Sequence, residues 1–393
     1  MDIKGFQFSA VEAAIKKPGR KDLALIFSEK PALACAVFTT NRVKAAPVLL
    51  SESRILSGKA QALLVNSGNA NACTGENGMA VAKQTTKLLA TELGISDEYV
   101  QVSSTGVIGV QMPVERICSS IPELVVGLQS GTLDDIAQAI MTTDTFPKME
   151  ARSAVANGTS YTVAGIAKGA GMIMPNMATM LSFVITDAYV EPALLQKTFR
   201  LGVDDSFNSI TVDGDMSTND TCLLMANGAA NNSIIKSGTP EGDVFSSILR
   251  DVLLSLAKQI VRDGEGATKF VEVIVTGAAS DEDAKLAAKA IANSSLVKTA
   301  FFGQDANWGR IFAAVGYSGA EVDQSRLSLS FDDVLMAENG IFAGDDAEAR
   351  GTVVLKKKEF TVTVNLGLGN GTAKIYTSDL SHEYVSINAD YRT

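Results

Sequence analysis

The chain has 393 residues, 46% of them apolar, and a formal net charge of −10 at pH 7. This length predicts two or three domains, or one large α/β unit, with a sizeable core. The acidic balance argues against nucleic-acid and anionic-membrane partners, and a single histidine, His382, excludes a metal centre built on several histidines.

The first residues, MDIKGFQFSA, carry charges where a secretion signal needs an apolar run. No run of eighteen apolar residues follows. Both observations favour a soluble, cytoplasmic protein. The four cysteines lack any CxxC spacing and predict buried free thiols rather than disulfides or zinc ligands.

The first half of the chain alternates strand and helix patterns. Hydrophobic spacing predicts strands at 22–27, 32–40, 63–66 and 100–104, and helices at 76–94, 113–128 and 133–141. Asn157-Gly158 between β-prone flanks predicts a two-residue hairpin. We therefore expect a mixed α/β fold with many strands.

Two loops of the first half combine small and polar residues. Residues 67–75, SGNANACTG, form either a turn whose side chains bond their own backbone or a wall of an active site. Thr105 and Gly106 directly follow a predicted strand. Their backbone N–H groups suit either an oxyanion or a plain turn.

The stretch from 165 to 187, GIAKGAGMIMPNMATMLSFVITD, changes character along its length. Its glycines, with Pro175 and Asn176, favour an irregular loop. Residues 179–187 are apolar and β-prone enough for a buried strand. Thr179 thus stands where a loop enters a strand, a place that suits a strained, reactive backbone. Simple β-propensity also accounts for a threonine there.

The second half of the chain predicts helices at 191–204, 241–262 and 281–294, a strand at 270–276 and further strands from Leu327 onward. The polar residues 206–221 include several carboxylates but lack the spacing of a calcium loop. The cluster at 367–371 precedes a strand-like run, which favours a hairpin turn over a nucleotide loop.

Six strings, in chain order, resemble the ornithine acetyltransferase family, also known as bifunctional glutamate N-acetyltransferases. Residues 168–181, KGAGMIMPNMATML, are similar to the family's self-cleavage segment. The other strings are STGVIG at 104–109, TTDTFPK at 142–148, GEGA at 264–267, GQDANWGR at 303–310 and INA at 387–389. The resemblance extends from Asn41 to Thr393.

The resemblance implies a role for particular residues. In the family the protein itself cuts the bond before the Thr of an Ala-Thr-Met-Leu sequence, which implies cleavage between Ala178 and Thr179, with Thr179 as the nucleophile. It implies an oxyanion hole at Thr105 and Gly106. Substrate contacts are implied for Thr142, Lys168, Thr179, Glu265, Asn388 and Thr393, with Lys168 near a carboxylate and Glu265 near an ammonium group.

Elementary chemistry agrees with a threonine that cleavage activates. A threonine hydroxyl is a weak nucleophile near pH 7 and needs an adjacent base. A freed α-amine on the same residue, with a pKa of about 7.7 to 8.0, supplies one. The first reaction is then an N-to-O acyl shift at Ala178, after which water hydrolyses the ester and separates the two chains. Later turnovers repeat the attack on an N-acetyl amide.

The resemblance also implies an architecture: stacked β layers flanked by helices, with the chain divided into residues 1–178 (α chain) and 179–393 (β chain). The oxyanion hole lies in the α chain and the nucleophile and the closing tail in the β chain. The expected partners are small-molecule substrates and the protein's own chains, as a heterotetramer of two α and two β chains. No metal or cofactor is expected.

The implied reaction moves an acetyl group from N²-acetylornithine to glutamate by a ping-pong cycle in arginine biosynthesis. Whether acetyl-CoA also serves as donor stays open. One alternative is a self-processing aminopeptidase or amidohydrolase on the same fold. Another is a binding protein on this scaffold whose Thr179 is never cut.

Overall fold

The computed structural model describes residues 3–174 and 180–390. Thr179, Ala178 and Thr393 lie outside this part of the chain. The described residues form two compact units. The large unit comprises residues 3–169, 180–208 and 215–260, and the small unit comprises residues 170–174, 209–214 and 261–390. Each unit contains residues from both sides of position 178, so the units do not coincide with the predicted α and β chains.

The described residues contain fifteen strands and eleven helices, which confirms the mixed α/β class. The strands are β1 (Phe6–Val11), β2 (Leu23–Phe38), β3 (Lys59–Asn66), β4 (Val100–Ser104), β5 (Lys148–Ala156), β6 (Thr159–Lys168), β7 (Leu181–Thr186), β8 (Ile210–Thr211), β9 (Thr221–Ala226), β10 (Phe270–Ala278), β11 (Ser328–Phe331), β12 (Val334–Glu338), β13 (Ile341–Phe342), β14 (Glu359–Asn365) and β15 (Gly371–Ser378). The helices are α1 (Ala46–Ile55), α2 (Gly75–Leu93), α3 (Val114–Val126), α4 (Leu133–Ala139), α5 (Pro192–Asp205), α6 (Pro240–Arg262), α7 (Asp281–Asn293), α8 (Ser295–Gly303), α9 (Trp308–Gly316), α10 (Asp345–Leu355) and α11 (His382–Ala389). None of these helices is long and apolar enough to cross a membrane.

The large unit is built on one sheet of eight strands, in the order β4-β3-β2-β9-β7-β6-β5, with β1 paired to β2. Strand β7 lies between β6, which is antiparallel, and β9, which is parallel. All six residues of β7 are buried, as expected for a strand covered on both faces. The sheet therefore places the end of β6, at Lys168, beside the start of β7, at Leu181.

Local sequence signals explain several elements of this unit. Asn157 and Gly158 both have positive φ, 49° and 81°, as a two-residue turn between β5 and β6 requires. Gly94 ends α2 in the left-handed conformation. Gly165 lies inside β6 rather than in the loop, where a Cβ would come within 2.8 Å of Leu256 of α6. The close approach of α6 to the sheet therefore requires glycine at this position.

The small unit is built on a seven-stranded sheet, in the order β13-β12-β11-β14-β10-β15-β8. The predicted hairpin at 367–371 is wrong, because β14 and β15 do not pair with each other. Strand β10 lies between them, parallel to β14 and antiparallel to β15. The glycine-rich turn therefore connects two strands that lie on opposite sides of β10, a strand about ninety residues earlier in the sequence.

Three other expectations need correction. The strands expected at 22–27 and 32–40 are one strand, β2, whose register shifts between Phe27 and Ala32. The described region after Leu327 contains five strands, as its strand-like runs predict, but also helix α10, whose first turn has three acidic residues that suit a helix N-terminus. Of the four free thiols, Cys222 is buried but Cys73 is exposed.

The GQDANWGR string at 303–310 joins two helices. Gln304 ends α8 in a left-handed conformation, and the Asn307 side chain accepts a hydrogen bond from the Arg310 N–H at the start of α9. The Trp308 ring stacks on Phe342 at a centroid distance of 5.4 Å. These contacts give the string a structural role at a helix junction.

Candidate active site

Lys168 is the residue around which the described part of the predicted site is arranged in the large unit. It ends β6, opposite Leu181, and its side chain is buried. Its ammonium group donates a hydrogen bond of 3.3 Å to the Thr105 hydroxyl. Two residues that the sequence places 63 positions apart are thus in contact beside the start of β7.

The Thr105-Gly106 turn differs in one respect from the expected oxyanion hole. The Thr105 N–H donates to the Asn66 carbonyl at 3.0 Å, so it is already used in closing the turn. In this turn the Thr105 N–H is therefore not available to an oxyanion, and the oxyanion role of Thr105 and Gly106 stays a prediction. The Gly106 N–H makes no hydrogen bond of good geometry to any residue in the described ranges.

Gly106 itself is required by the packing of this turn. Its φ of +137° lies where side chains are disfavoured, and a Cβ would lie 2.2 Å from the Gly68 carbonyl carbon. The neighbouring 67–75 loop bonds its own backbone, since the Asn71 N–H donates to the Asn69 side chain at 2.8 Å. This hydrogen bond favours the first of the two predictions for residues 67–75, a turn whose side chains bond their own backbone.

Asp144 lies between Lys148 and Lys168 in the large unit, and these three charged side chains form one cluster. No role for Asp144 was predicted from the sequence. One of its carboxylate oxygens accepts from the Lys148 ammonium group at 2.6 Å and from the Gly169 N–H at 2.7 Å. The other accepts from the Thr142 N–H at 2.9 Å. The side chains of Asp144 and Lys148 are fully buried. The i, i+4 spacing of an acid and a lysine within TTDTFPK is the signal that points to this pair.

The charge balance of this cluster favours an anion. Burial by itself would raise the pKa of Asp144, but the ammonium groups of Lys168 and Lys148 and the Gly169 N–H outweigh it and hold the pKa at about 2. One carboxylate therefore faces two ammonium groups. These three side chains together carry a net charge of about +1, which favours an anionic ligand.

Two predicted substrate residues meet in the small unit. The Glu265 carboxylate accepts a hydrogen bond of 2.7 Å from the Asn388 side chain on α11. The Glu265 backbone N–H donates to the Ala170 carbonyl at 2.8 Å. The Ser381 hydroxyl, just before α11, donates to the Gly266 carbonyl at 2.6 Å. Helix α11, which the sequence reading did not predict, thus presents Asn388 to the acid.

The carboxylates of the 206–221 loop bond backbone groups. Asp213 accepts from the N–H groups of Met172 and Ile173. Asp220 accepts from the Met180 N–H at 3.0 Å, and burial raises its pKa well above the usual value. Among the described residues no three His, Cys, Asp or Glu side chains are grouped to hold a metal ion. These two acids are further residues to which sequence reasoning gave no role.

Comparison with known proteins identifies the chain's relatives. The model of the ArgJ family matches residues 7–393. The arginine biosynthesis bifunctional protein ArgJ of Geobacter sulfurreducens is 68% identical over 393 residues and covers 100% of both chains. The protein of that name from Syntrophotalea carbinolica is 56% identical over 391 residues, which are 100% of this chain and 99% of that protein.

A solved structure agrees with these relatives. The crystal structure of the arginine biosynthesis bifunctional protein ArgJ from Bacillus halodurans matches with 46% identity and a TM-score of 0.52. The match covers 54% of this chain and 99% of that chain. With a family model that spans nearly the whole sequence and relatives that share more than half of its residues, the chain belongs to the ArgJ family.

Proposed function

We propose that this protein cuts its own chain between Ala178 and Thr179 and then moves acetyl groups from N²-acetylornithine to glutamate through an acetyl-Thr179 intermediate. As a member of the ArgJ family it is an acyltransferase of arginine biosynthesis. The observation that carries the proposal is the buried contact between Lys168 and the Thr105 hydroxyl beside the first residues of β7.

Self-cleavage is supported by the strands on either side of the segment. Strands β6 and β7 pair over six residues, from Val163 opposite Thr186 to Lys168 opposite Leu181, so the sheet holds both flanks of the segment in place. The crystal chain of the Bacillus halodurans relative corresponds to 54% of this chain. That share is close to the share of residues 179–393, as expected for one product of such a cut.

The transfer follows from the groups available. The freed α-amine of Thr179 takes the hydroxyl proton while Oγ attacks the acetyl carbonyl. The Thr105 hydroxyl and the Gly106 N–H are the donors for the resulting oxyanion, and each is worth about 10²-fold to 10³-fold in rate. The C–N bond then breaks, the proton passes to the departing amine, and an acetyl ester remains on Thr179. The glutamate amine attacks this ester and restores the hydroxyl.

Substrate recognition is proposed to use charged side chains. The positive charge of Lys168, in the cluster that also contains the Thr142 N–H, suits the α-carboxylate that acetylornithine and glutamate share. Glu265 with Asn388 suits an ammonium group. The resemblance adds Thr393 to the substrate contacts. The names of the relatives, which are bifunctional proteins, support a second donor, acetyl-CoA. We also propose that the cut enzyme is a heterotetramer of two α and two β chains and that it acts in the cytoplasm.

Intact mass under denaturing conditions is the first test. We expect two species, residues 1–178 and 179–393, in place of the single chain of 41.2 kDa. The purified protein is then given N²-acetylornithine labelled in the acetyl group, with and without glutamate. Label should move to N-acetylglutamate and stay on Thr179 when glutamate is omitted. A single uncut and inactive species contradicts the proposal.

The self-processing hydrolase is the alternative that this assay separates. A hydrolase releases labelled acetate at the same rate with or without glutamate, and it cleaves peptide amides. The names of the relatives, all arginine biosynthesis proteins, disfavour this alternative. The binding-protein alternative predicts no processing, so the mass measurement alone decides against it when two species appear.

Gly171→Ala is expected to weaken substrate binding. A Cβ at position 171 would lie 2.3 Å from a Glu265 carboxylate oxygen, so the acid must shift. A displaced Glu265 loses its place opposite the substrate ammonium group, and we expect KM for acetylornithine to rise about tenfold, the loss of one charge-assisted hydrogen bond. Gly316→Ala is the control, since a Cβ there meets nothing within 4 Å. An unchanged KM in Gly171→Ala contradicts the proposed role of Glu265.

A further inference from the structure

Lys298 is a buried lysine that the mechanism proposed above does not use. It lies on α8 in the small unit and is 3% exposed. Its ammonium group donates to the Thr377 hydroxyl at 2.9 Å, to the Ser378 hydroxyl at 3.4 Å and to the Ser378 carbonyl. Three acceptors from the last two residues of β15 thus surround one buried ammonium group.

Burial makes the charge of this ammonium group unfavourable. It lowers the pKa of Lys298 to about 7, although the carboxylates of Asp379 and Asp213 act in the opposite direction. A buried charge needs polar partners to replace the water that it has lost. The acceptors at the end of β15 are such partners, so the lysine and the end of this strand hold each other in place.

Helix α8 also holds the residues that follow β15. The Leu380 N–H donates to the Lys298 carbonyl at 3.2 Å. One turn further along α8, the Phe302 ring meets the His382 ring edge to face, at a centroid distance of 5.5 Å. These contacts fix the chain from the end of β15 to the start of α11.

The same residues hold the loop that carries Glu265. The Asp379 carboxylate accepts from the N–H groups of Thr268, at 2.8 Å, and Lys269, at 2.9 Å, and also from the Thr268 hydroxyl. The Ser381 hydroxyl donates to a carbonyl of this loop at 2.6 Å. Four hydrogen bonds therefore join the loop to the segment between β15 and α11.

We propose that Lys298 is a positioning residue for the Glu265–Asn388 pair and thereby for recognition of the substrate ammonium group. The inference rests on the proposed function, in which this pair binds that group. Residues 377–382 hold Glu265 through its loop and Asn388 through helix α11, and Lys298 fixes these residues to α8. The ammonium group takes no part in acetyl transfer, so a misplaced acid should weaken binding more than the chemical step.

The test compares two acetyl donors that differ in one ammonium group. N²-acetylornithine carries it, and N²-acetylnorvaline has a hydrogen atom in its place. The kcat/KM for each donor is measured with glutamate as acceptor on wild type, Lys298→Met, Thr377→Val and Glu265→Gln. The ratio of the two kcat/KM values reports ammonium recognition alone, because a smaller folded fraction lowers both values equally.

The variants are chosen to keep the fold. Methionine has nearly the length of lysine, and an apolar side chain of similar volume is often tolerated in place of a buried charge. Thr377→Val tests the same contact in a chain that keeps Lys298, since it removes only one acceptor. Lys374→Met is the control, because Lys374 also lies on β15 but its side chain is half exposed and pairs with Glu272 at 2.6 Å.

Wild type should prefer acetylornithine by about tenfold or more, the value of one charge-assisted hydrogen bond, and Glu265→Gln should lose this preference. Lys298→Met should lose most of it, through a KM for acetylornithine that is about tenfold higher with kcat within about threefold of wild type. Its constants for acetylnorvaline should stay unchanged. Thr377→Val should lose about threefold of the preference, and Lys374→Met none.

Hydrogen exchange reports on the same contacts without any substrate. In Lys298→Met, amide exchange should become faster in peptides that cover residues 264–269 and 380–389 and stay unchanged in β14. Lys374→Met should exchange like wild type. Faster exchange with an unchanged donor preference would show that Lys298 supports the segment without positioning the acid, which contradicts the inference.

Two kinetic results would overturn the inference. One is a wild-type preference in Lys298→Met, or in Thr377→Val where Lys298→Met does not fold, while Glu265→Gln has lost it. The other is a loss in Lys374→Met equal to that in Lys298→Met. Failure of the proposed function is distinguishable, since Glu265→Gln would then keep the wild-type preference, and the inference would fall with it.

Discussion

Replacing Thr179 with Ala is expected to leave a single uncut chain with no measurable acetyl transfer. The substitution removes the hydroxyl that attacks both the Ala178 carbonyl and the acetyl group, and without the cut no α-amine forms to act as base. We expect a loss of at least about a thousandfold in kcat, the scale on which covalent catalysis depends on its nucleophile. Intact mass and the label-transfer assay measure the two losses separately.

Thr179→Ser is the matched control for this result. Serine keeps the hydroxyl and loses only the methyl group, so this variant should cut its chain and transfer acetyl groups, at a reduced rate. A Thr179→Ala protein that still turned over acetylornithine would show that another residue is the nucleophile. The uncut variant also serves as a single-chain background for measurements of stability.

Asp144→Asn is expected to destabilise the fold and to disable the site together. The amide keeps an oxygen for the Gly169 N–H but removes the negative charge between Lys148 and Lys168, both buried. An uncompensated buried charge costs about 3 to 5 kcal/mol. The free energy of unfolding, measured in urea on the Thr179→Ala background, should fall by this amount. In the cuttable chain, acetyl transfer should fall at least tenfold as Lys168 shifts away from Thr105.

Asp205→Asn is the control for this prediction. Asp205 pairs with Arg250, but both side chains are more than half exposed. Such surface pairs contribute about 0 to 1 kcal/mol. Loss of that pair should leave the unfolding free energy and the activity almost unchanged. Equal effects of the two substitutions would show that the buried cluster does not depend on its carboxylate.

The contribution of the Asp144 carboxyl group to the stability of the fold should decrease as the pH falls. The two neighbouring ammonium groups lower its pKa from the usual 3.8 to about 2, so the folded state binds the proton less readily than the unfolded chain. The stabilisation, about 2 kcal/mol, is present above pH 4 and lost as the pH falls towards 2. In Asp144→Asn this component of acid denaturation should be absent.

Elements that depend on neighbouring residues could be predicted from the sequence. Strand β4 begins and ends where the hydrophobic pattern indicates, at Val100 and Ser104. Gly94 and the Asn157-Gly158 turn act through their own backbone conformations. Lys168 and Thr105 were identified by resemblance, and the structure brings them into contact.

Features that depend on distant residues could not be predicted. The Thr105 N–H is used by Asn66, 39 positions earlier, and nothing in a Thr-Gly pair indicates this. Strand β10 lies between β14 and β15 because the packing of the whole sheet determines which strands pair. The residues of a turn determine only the conformation of that turn. Asp220 reaches Met180 across 40 residues, which local spacing does not reveal.

The pairing of β6 with β7 has a consequence for the life of the protein after the cut. Once the bond before Thr179 is broken, the six residue pairs between these strands join two separate molecules. Folding of the intact precursor is a first-order event, but recovery from complete unfolding becomes an encounter between two partners and slows on dilution. Thermal inactivation of the cut protein should therefore be irreversible and governed by its unfolding rate. The uncut chain can refold at any concentration.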